Sequence, residues 1–284
     1  MIYKTLLFFL LLFPPVLFAQ ADAAARQAAM SYSNVALSND VFSIFNNPSG
    51  TAQYNWREIG VYYSPSPFGL SELANGYAAY SEPLSFGTVS AGFSIYGYEL
   101  YRETNFVIAF SRNIANNFFI GASVVYNNLK IENYGGDAAF SFNFGGLGYI
   151  TNNLRAGFSI KNLTHSTYGN QPDQIPMVFD FGLSYDVIDE FTINAAVQKE
   201  IDFKPSLRIG VEYLIIKYLA LRAGFMNEPN SFSAGIGINY SLFQIDYSIF
   251  THTDLGLTHQ ASVLVHFSEF ESRLTSIKKF LNKL

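Results

Sequence analysis

The stretch from Ser231 to Phe267, SFSAGIGINYSLFQIDYSIFTHTDLGLTHQASVLVHF, decides the fold. Apolar residues alternate with small or polar ones along three segments, which are Phe232, Ala234, Ile236, Ile238 and Tyr240; Phe243, Ile245, Tyr247 and Ile249; and Ala261, Val263, Val265 and Phe267. Side chains alternate between the two faces of a strand, so the pattern predicts three antiparallel β-strands. One face is rich in aromatic residues and the other in Gly, Ser and Asn, which is typical of strands with lipid outside and a polar lumen inside.

The composition supports a membrane protein without enzymatic chemistry. The chain has 284 residues and a formal net charge of −5; aromatic residues make up 17% and charged residues 14%, roughly half the usual charged share of a soluble domain. An acidic chain is not a candidate for nucleic-acid binding. Cysteine is absent, so no disulfide or cysteine metal site is expected. The four histidines lack metal-ligand spacing and no catalytic motif occurs, so we expect no cofactor and no enzyme activity.

The N-terminal residues predict export to a bacterial envelope. Residues 1–19 contain a positive residue at Lys4, an apolar run from Leu6 to Phe13, and a break at Pro14–Pro15. This order is typical of a signal peptide cleaved after Ala19. No other stretch is long and apolar enough for a membrane helix, so any membrane span must be formed by strands.

The remaining chain predicts an all-β protein, a transmembrane antiparallel β-barrel of about fourteen strands. The strands fill residues 57–267, with short connections at one end and longer ones at the other. Residues 20–56 lack strand alternation and are predicted to be a plug-like segment in the lumen or at its periplasmic mouth. Residues 268–284 change to a helical period and predict a short amphipathic helix. The alternative, a secreted soluble β-protein, requires an unusually aromatic core, so we favour the barrel in the bacterial outer membrane.

Charged residues in the inward phase of the predicted strands are the candidate functional residues of the wall. They are Asp137, Arg155, Asp180, Arg208, Glu212, Arg222 and Asp246. They either line a path for a solute, or pair with one another and with the N-terminal segment to fill the lumen. Because charges in such settings are usually paired, the second interpretation is favoured.

The segment ARQAAMSYSNVALSNDVFSIFNNPSG resembles the N-terminal signature of the PorV/PorQ family. The matching positions include Ala25, Arg26, Asp40, Asn47, Pro48 and Gly50. Two positions depart from the family pattern: Ser31-Tyr32 replaces Gly-Gly, and Ser49 replaces Ala in Asn-Pro-Ala-Gly. That family is similar to FadL-type fatty-acid channels. The resemblance therefore implies a fourteen-stranded barrel with an N-terminal segment inside it.

Two functions follow as expectations. The resemblance implies a non-enzymatic barrel that assists type IX secretion or surface attachment of cargo, with protein partners or secreted cargo bound by its loops. Aromatic residues predicted in the outer loops suit such an interface, namely Tyr98, Tyr101, Tyr134 and Tyr168. The alternative is a FadL-like passive channel for long-chain fatty acids or other hydrophobic molecules. Apolar inward positions on the wall are few, which favours the first function, although Val41, Phe42, Ile44 and Phe45 offer apolar lining from the N-terminal segment.

Overall fold

The structure is a computed structural model that describes residues 24–115, 117–169, 175–268 and 272–282. The predicted signal peptide, residues 1–19, lies outside the described residues and remains a prediction. Within the described part, most residues belong to β-strands.

The strands form one closed antiparallel barrel, and the predicted fourteen strands are confirmed. Every strand pairs with its neighbours in sequence, and β1 closes the ring by pairing with β14, with Val61 opposite Val263. The strands are β1 (Glu58–Ser64), β2 (Asn75–Leu84), β3 (Gly87–Gly97), β4 (Tyr101–Ala115), β5 (Phe118–Ile131), β6 (Gly135–Tyr149), β7 (Leu154–Lys161), β8 (Val178–Ile188), β9 (Phe191–Glu200), β10 (Ser206–Ile216), β11 (Leu219–Asn227), β12 (Asn230–Tyr240), β13 (Phe243–His252) and β14 (Gly256–His266).

The two faces of the wall follow the period-two pattern of the sequence. Large apolar residues face outward, and Phe181 and Phe232 remain 57% and 60% exposed. Small polar residues face inward, and Ser90 and Ser184 are buried. This arrangement leaves an apolar surface for lipid outside, while closure satisfies the backbone of every strand without a free edge.

The two ends of the barrel differ. Residues 85–86 and 241–242 form tight turns at one end. At the other end residues 65–74 form a long connection, β7 and β8 are joined by another, and residues 228–229 form a short turn. In outer-membrane barrels the tight turns face the periplasm and the long loops face outward. Three neighbouring strands, β4, β5 and β6, have 15, 14 and 15 residues, and β6 extends beyond β7 at the outer end, where their pairing stops at Phe144 opposite Ile160.

The N-terminal segment, residues 24–56, lies inside this ring, where nearly all its residues are buried. It contains helices α1 (Ala25–Ala29) and α2 (Ser43–Asn46), followed by a 3-10 helix at Pro48–Gln53. Between the helices, Ser31 and Tyr32 both have positive φ, 50° and 56°. Positive φ carries a steric cost for residues with a Cβ atom that glycine does not have, so Ser31 and Tyr32 both hold a disfavoured backbone conformation.

Helix α3 (Arg273–Leu281) lies at the periplasmic end, as the C-terminal amphipathic pattern predicted. The Ser272 side chain caps its N-terminus by accepting a hydrogen bond from the backbone of Thr275 at 3.1 Å. Its apolar residue Ile277 is fully buried in a cluster with Tyr54 and Phe119. No helix in the described ranges is long and apolar enough to cross a membrane.

Candidate functional site in the barrel lumen

Arg26 of α1 joins the N-terminal segment to the wall through a buried network of charges. Its guanidinium donates to the two carboxylate oxygens of Glu212 on β10 at 2.7 and 2.8 Å, and lies 3.2 Å from Asp40. Arg222 donates to the same Glu212 at 2.6 Å and to Asp246 at 2.7 Å. Burial alone lowers the pKa of Arg26, but the carboxylates of Glu212 and Asp40 outweigh it and raise the pKa above its ordinary value. Close pairing of this kind holds α1 in one position.

Arg155 on β7 forms a second buried ion pair. Its guanidinium donates to Asp186 at 2.7 Å and to the Ser184 hydroxyl at 3.1 Å. Lys278 of α3 lies 3.5 Å from the other oxygen of Asp186. Our sequence reasoning missed Asp186 as a lumen charge, although it shares the inward phase of Asp180 on the same strand.

Two more of the predicted lumen charges meet at Gln198 on β9. Arg208 donates to its amide oxygen, and its amide nitrogen donates to Asp180 at 2.9 Å. Asp137 does not join them, and its prediction as a lumen charge is wrong. Its side chain is exposed, because the outer end of β6 extends past the end of β7.

Glycines on the inner face of the wall make room for the N-terminal segment. They are Gly60, Gly92, Gly121, Gly145, Gly157, Gly210, Gly224 and Gly235. A methyl group at Gly121 would overlap the backbone of Pro48, and one at Gly157 would lie 2.6 Å from the carbonyl oxygen of Val35. The inner diameter of the barrel therefore fits this segment and leaves little space around it.

The family-motif residues take part in this fit. Asn47 donates to the backbone carbonyls of Val35 at 2.9 Å and Gly146 at 3.2 Å, which joins the segment to itself and to β6. Gly50 lies so close to Ser38 that any side chain would overlap it. Ala25 is fully buried against the apolar part of the lumen.

Helix α3 contacts the N-terminal segment from the periplasmic end of the barrel. Arg273 forms an ion pair with Glu58, the first residue of β1, and donates to the carbonyl oxygen of Asn39 at 2.9 Å. Glu58 also accepts a hydrogen bond from the backbone of Val41 at 2.8 Å. Burial lowers the pKa of Arg273, but the Glu58 carboxylate outweighs it and raises the pKa. The charge pair thus links α3, β1 and the N-terminal segment.

A cavity of about 470 Å³ lies at the periplasmic end, between the N-terminal segment, α3 and the turns of β8 to β13. Its volume falls in the range of small-molecule sites, which is about 300–1,000 Å³. Its lining contains Arg26, Arg222 and Arg273, each already engaged with a carboxylate. A lining whose arginine side chains are paired with carboxylates suits water better than an apolar guest.

The apolar part of the lumen starts near Glu58 and reaches toward the outer end at Ile44 and Phe45. Side chains of the N-terminal segment meet apolar side chains of the wall, namely Val41, Phe42, Ile44 and Phe45 with Tyr62, Tyr77, Ala79, Val107, Val125 and Leu264. Above them lies the outer cleft, a space of about 70 Å³ beneath Asn162, Ile175 and Pro176 of the β7–β8 connection. A cavity of roughly 150 Å³ holds benzene, so the outer cleft in this conformation is too small for an aromatic ring.

The predicted loop aromatics fall into two groups. Tyr134 is 89% exposed and Tyr98 is 38% exposed, as expected for an outer surface. Tyr101 instead begins β4, and its hydroxyl donates to Glu103 at 2.5 Å. Tyr168 is half-buried, and burial is the main reason that its pKa is raised. The prediction of Tyr101 as a loop residue is wrong, because it is the first residue of β4, whereas Tyr168 lies in the connection between β7 and β8.

The described residues contain no group of three or more His, Asp or Glu side chains placed to hold a metal ion. The candidate site is the lumen itself, with its charged network toward the periplasmic end and its apolar cleft toward the outer end.

The closed fourteen-stranded barrel has a FadL-like outer-membrane fold. The "CymD monoaromatic hydrocarbon channel" matches with a TM-score of 0.67 and 12% identity over 86% of this chain and 97% of that chain. The toluene transporter TbuX of Ralstonia pickettii gives a TM-score of 0.66 and 12% identity over 86% and 97%. A FadL homologue of Pseudomonas aeruginosa gives 0.63 and 11% over 88% and 99%.

No protein-family profile and no curated protein matches the sequence. At identities near 12% the structural likeness establishes the fold alone. The solved structures give no support to the PorV/PorQ resemblance or to type IX secretion. They agree better with the alternative expectation, a FadL-like channel, and their names describe channels and transporters rather than enzymes.

Proposed function

We propose that this protein is an outer-membrane channel that admits small hydrophobic molecules by passive diffusion, with the outer cleft as their binding site. The observation that carries the proposal is the apolar contact between the N-terminal segment and the wall, where Phe45 packs edge-to-face on Tyr77 with ring centroids 5.0 Å apart, beside Val107 and Val125. Binding sites for small molecules are mostly apolar with a few placed polar groups. The names of the similar structures, a monoaromatic hydrocarbon channel and a toluene transporter, support the same class of ligand.

Phe45 is the side chain that must move when a molecule enters. Its ring lies over Gly92, within 2.7 Å of where a Cβ atom would be, and fills the space that an aromatic guest needs. It is only half-buried, unlike the fully buried Phe42 and Ile44. When the Phe45 side chain rotates away, the ring of an aromatic guest takes its place, and the rest of the N-terminal segment does not need to move.

Equilibrium binding of radiolabelled toluene to the purified full chain in detergent tests this function. We expect saturable binding that Val107→Ser weakens, because the substitution places a hydroxyl against the guest. The matched control is Val178→Ser, since Val178 is also inward-facing and 6% exposed but does not line the cleft. Absence of saturable binding in both wild type and Phe45→Ala would overturn the proposal.

A second candidate function, presentation of the outer surface to a protein partner, rests on exposed side chains. Tyr134 and Leu100 are 89% and 52% exposed at the outer end, and aromatic side chains are common anchors of protein interfaces. The PorV/PorQ resemblance makes a component of type IX secretion the partner class. Photocrosslinking from position 134 in cells distinguishes the two functions, because a passive channel predicts no specific crosslinked protein there.

A further inference from the structure

The outer cleft has a polar side as well as an apolar one. Neighbouring strands β3, β4, β5 and β6 place neutral polar side chains around it, namely Ser94, Asn105, Asn127, Ser141 and Asn143. A site for hydrocarbons alone gains nothing from such groups, because each must keep a hydrogen-bond partner when a guest excludes water. Whether each polar group already has a hydrogen-bond partner within the protein therefore indicates what kind of guest the cleft binds.

Most of these groups are satisfied within the protein. The Asn127 amide nitrogen donates to the Ser141 hydroxyl at 2.9 Å. The Asn143 side-chain oxygen accepts from the backbone of Asn162 at 2.9 Å. These residues hold the wall and the β7–β8 connection together, which leaves them with a structural role.

Asn105 differs from them. Its amide nitrogen donates to the Ser94 hydroxyl at 3.2 Å. Its oxygen, Oδ1, is buried and has no hydrogen-bond partner among the described residues. Among the described residues that line the cleft, Asn105 Oδ1 is the buried side-chain oxygen without a hydrogen-bond partner. The next inward residue on β4 is Val107, which belongs to the apolar side of the cleft.

We propose that the cleft prefers a small aromatic molecule with a hydrogen-bond donor, of the phenol class, over a hydrocarbon of the same shape. The ring takes the space vacated by Phe45, beside Val107 and Val125, and the hydroxyl donates to Asn105 Oδ1. This inference rests on the proposed function, since it names the substrate class of that same site. A buried acceptor left unpaired is costly, so a guest without a donor is bound less well.

Phenol and toluene are suitable probes because they differ only in a hydroxyl in place of a methyl group. Their dissociation constants would be measured on the full chain in detergent for wild type, Asn105→Leu and Asn75→Leu. Leucine has nearly the shape of asparagine without the acceptor. Asn75 is the matched control, because its Oδ1 is also buried and unpartnered but it does not line the cleft.

We expect Asn105→Leu to raise the dissociation constant of phenol relative to that of toluene by about tenfold, because phenol loses one hydrogen bond of ordinary strength. Asn75→Leu should leave the ratio unchanged. Asn105→Asp keeps acceptor oxygens at the same place and should retain the preference for phenol. It is the second test variant if the leucine variant does not fold.

The outcomes separate the two proposals. If toluene and phenol both bind and the ratio is the same in wild type and Asn105→Leu, the preference is overturned while the channel function stands. If neither probe binds to wild type or to Phe45→Ala, the channel function itself is overturned. An equal shift in Asn75→Leu would also overturn the assignment of Asn105.

Discussion

The guanidinium of Arg26 and the carboxylate of Glu212 form two parallel hydrogen bonds, Nη2–Oε1 at 2.7 Å and Nε–Oε2 at 2.8 Å, across 186 residues of sequence. One partner belongs to the N-terminal segment and the other to the barrel wall. Bidentate geometry fixes orientation as well as distance, so this pair sets how α1 is seated in the lumen.

Replacing Arg26 with methionine should destabilise the protein by about 3 kcal/mol, because it keeps most of the side-chain volume but leaves Asp40 and part of Glu212 without their cation. The measurement is the free energy of unfolding in urea, in lipid vesicles. Arg57→Met is the control, since Arg57 pairs with Glu82 at an exposed position and its loss should have no measurable effect. Equal losses in the two variants would contradict the role of the buried network.

Substituting Gly121 with alanine should cost about 1–3 kcal/mol, because the methyl group overlaps the backbone of Pro48 in a closely packed lumen. Protease cleavage within residues 31–34 should become faster as the segment loosens. At Gly76 a Cβ atom would meet its nearest neighbours at 3.6 Å, so Gly76→Ala should change neither quantity. An unaffected Gly121→Ala protein would mean that the segment tolerates displacement.

Placing arginine on the lipid-facing side should cost an amount that depends on depth. Ile236 lies in the middle of β12, and Ile236→Arg should cost about 2–4 kcal/mol near the midplane. Tyr240 ends the same strand at the periplasmic side, so Tyr240→Arg should cost about 0–1 kcal/mol. Refolding titrations into vesicles give both values, and equal costs would refute the membrane orientation.

Replacing Arg273 with alanine should loosen the N-terminal segment from below. The substitution leaves Glu58 buried without its cation, which costs about 3–5 kcal/mol for an ion pair of this kind. Hydrogen exchange at the backbone amide of Val41, which donates to Glu58, should accelerate. The exposed Lys279 on the same helix provides the control, and Lys279→Ala should leave this exchange rate unchanged.

The strands were predictable because their signal is local. Alternation through Phe232 to Tyr240 depends on adjacent residues only, and its outward face was assigned correctly. The apolar inward positions Val107, Val125, Val178 and Leu264 are likewise buried, as their phase predicts. Period two determines which face a side chain takes, and that information is contained in any short segment.

Adjacent residues do not predict how high a residue lies along the barrel axis or which partner a charged side chain has. Asp137 has the inward phase, but it is exposed because the outer end of β6 extends past the end of β7. Asp186 has that phase too, and only its position beside Arg155 makes it part of a network. Partners such as Arg26 and Glu212 are far apart in sequence, so their meeting depends on the path of the N-terminal segment through the closed ring.

The seam between β1 and β14 also constrains how the protein is assembled. The ring of hydrogen-bonded strands closes only when β14, the last strand in the sequence, pairs with β1, so the wall around residues 24–56 is complete only then. The contact between Ser31 and Ser233 spans 202 residues, and the wall surface that receives the N-terminal segment is completed late in synthesis. The N-terminal segment is therefore synthesised before most of the wall that holds it, and its buried contacts with that wall form only once strands far away in the sequence are in place.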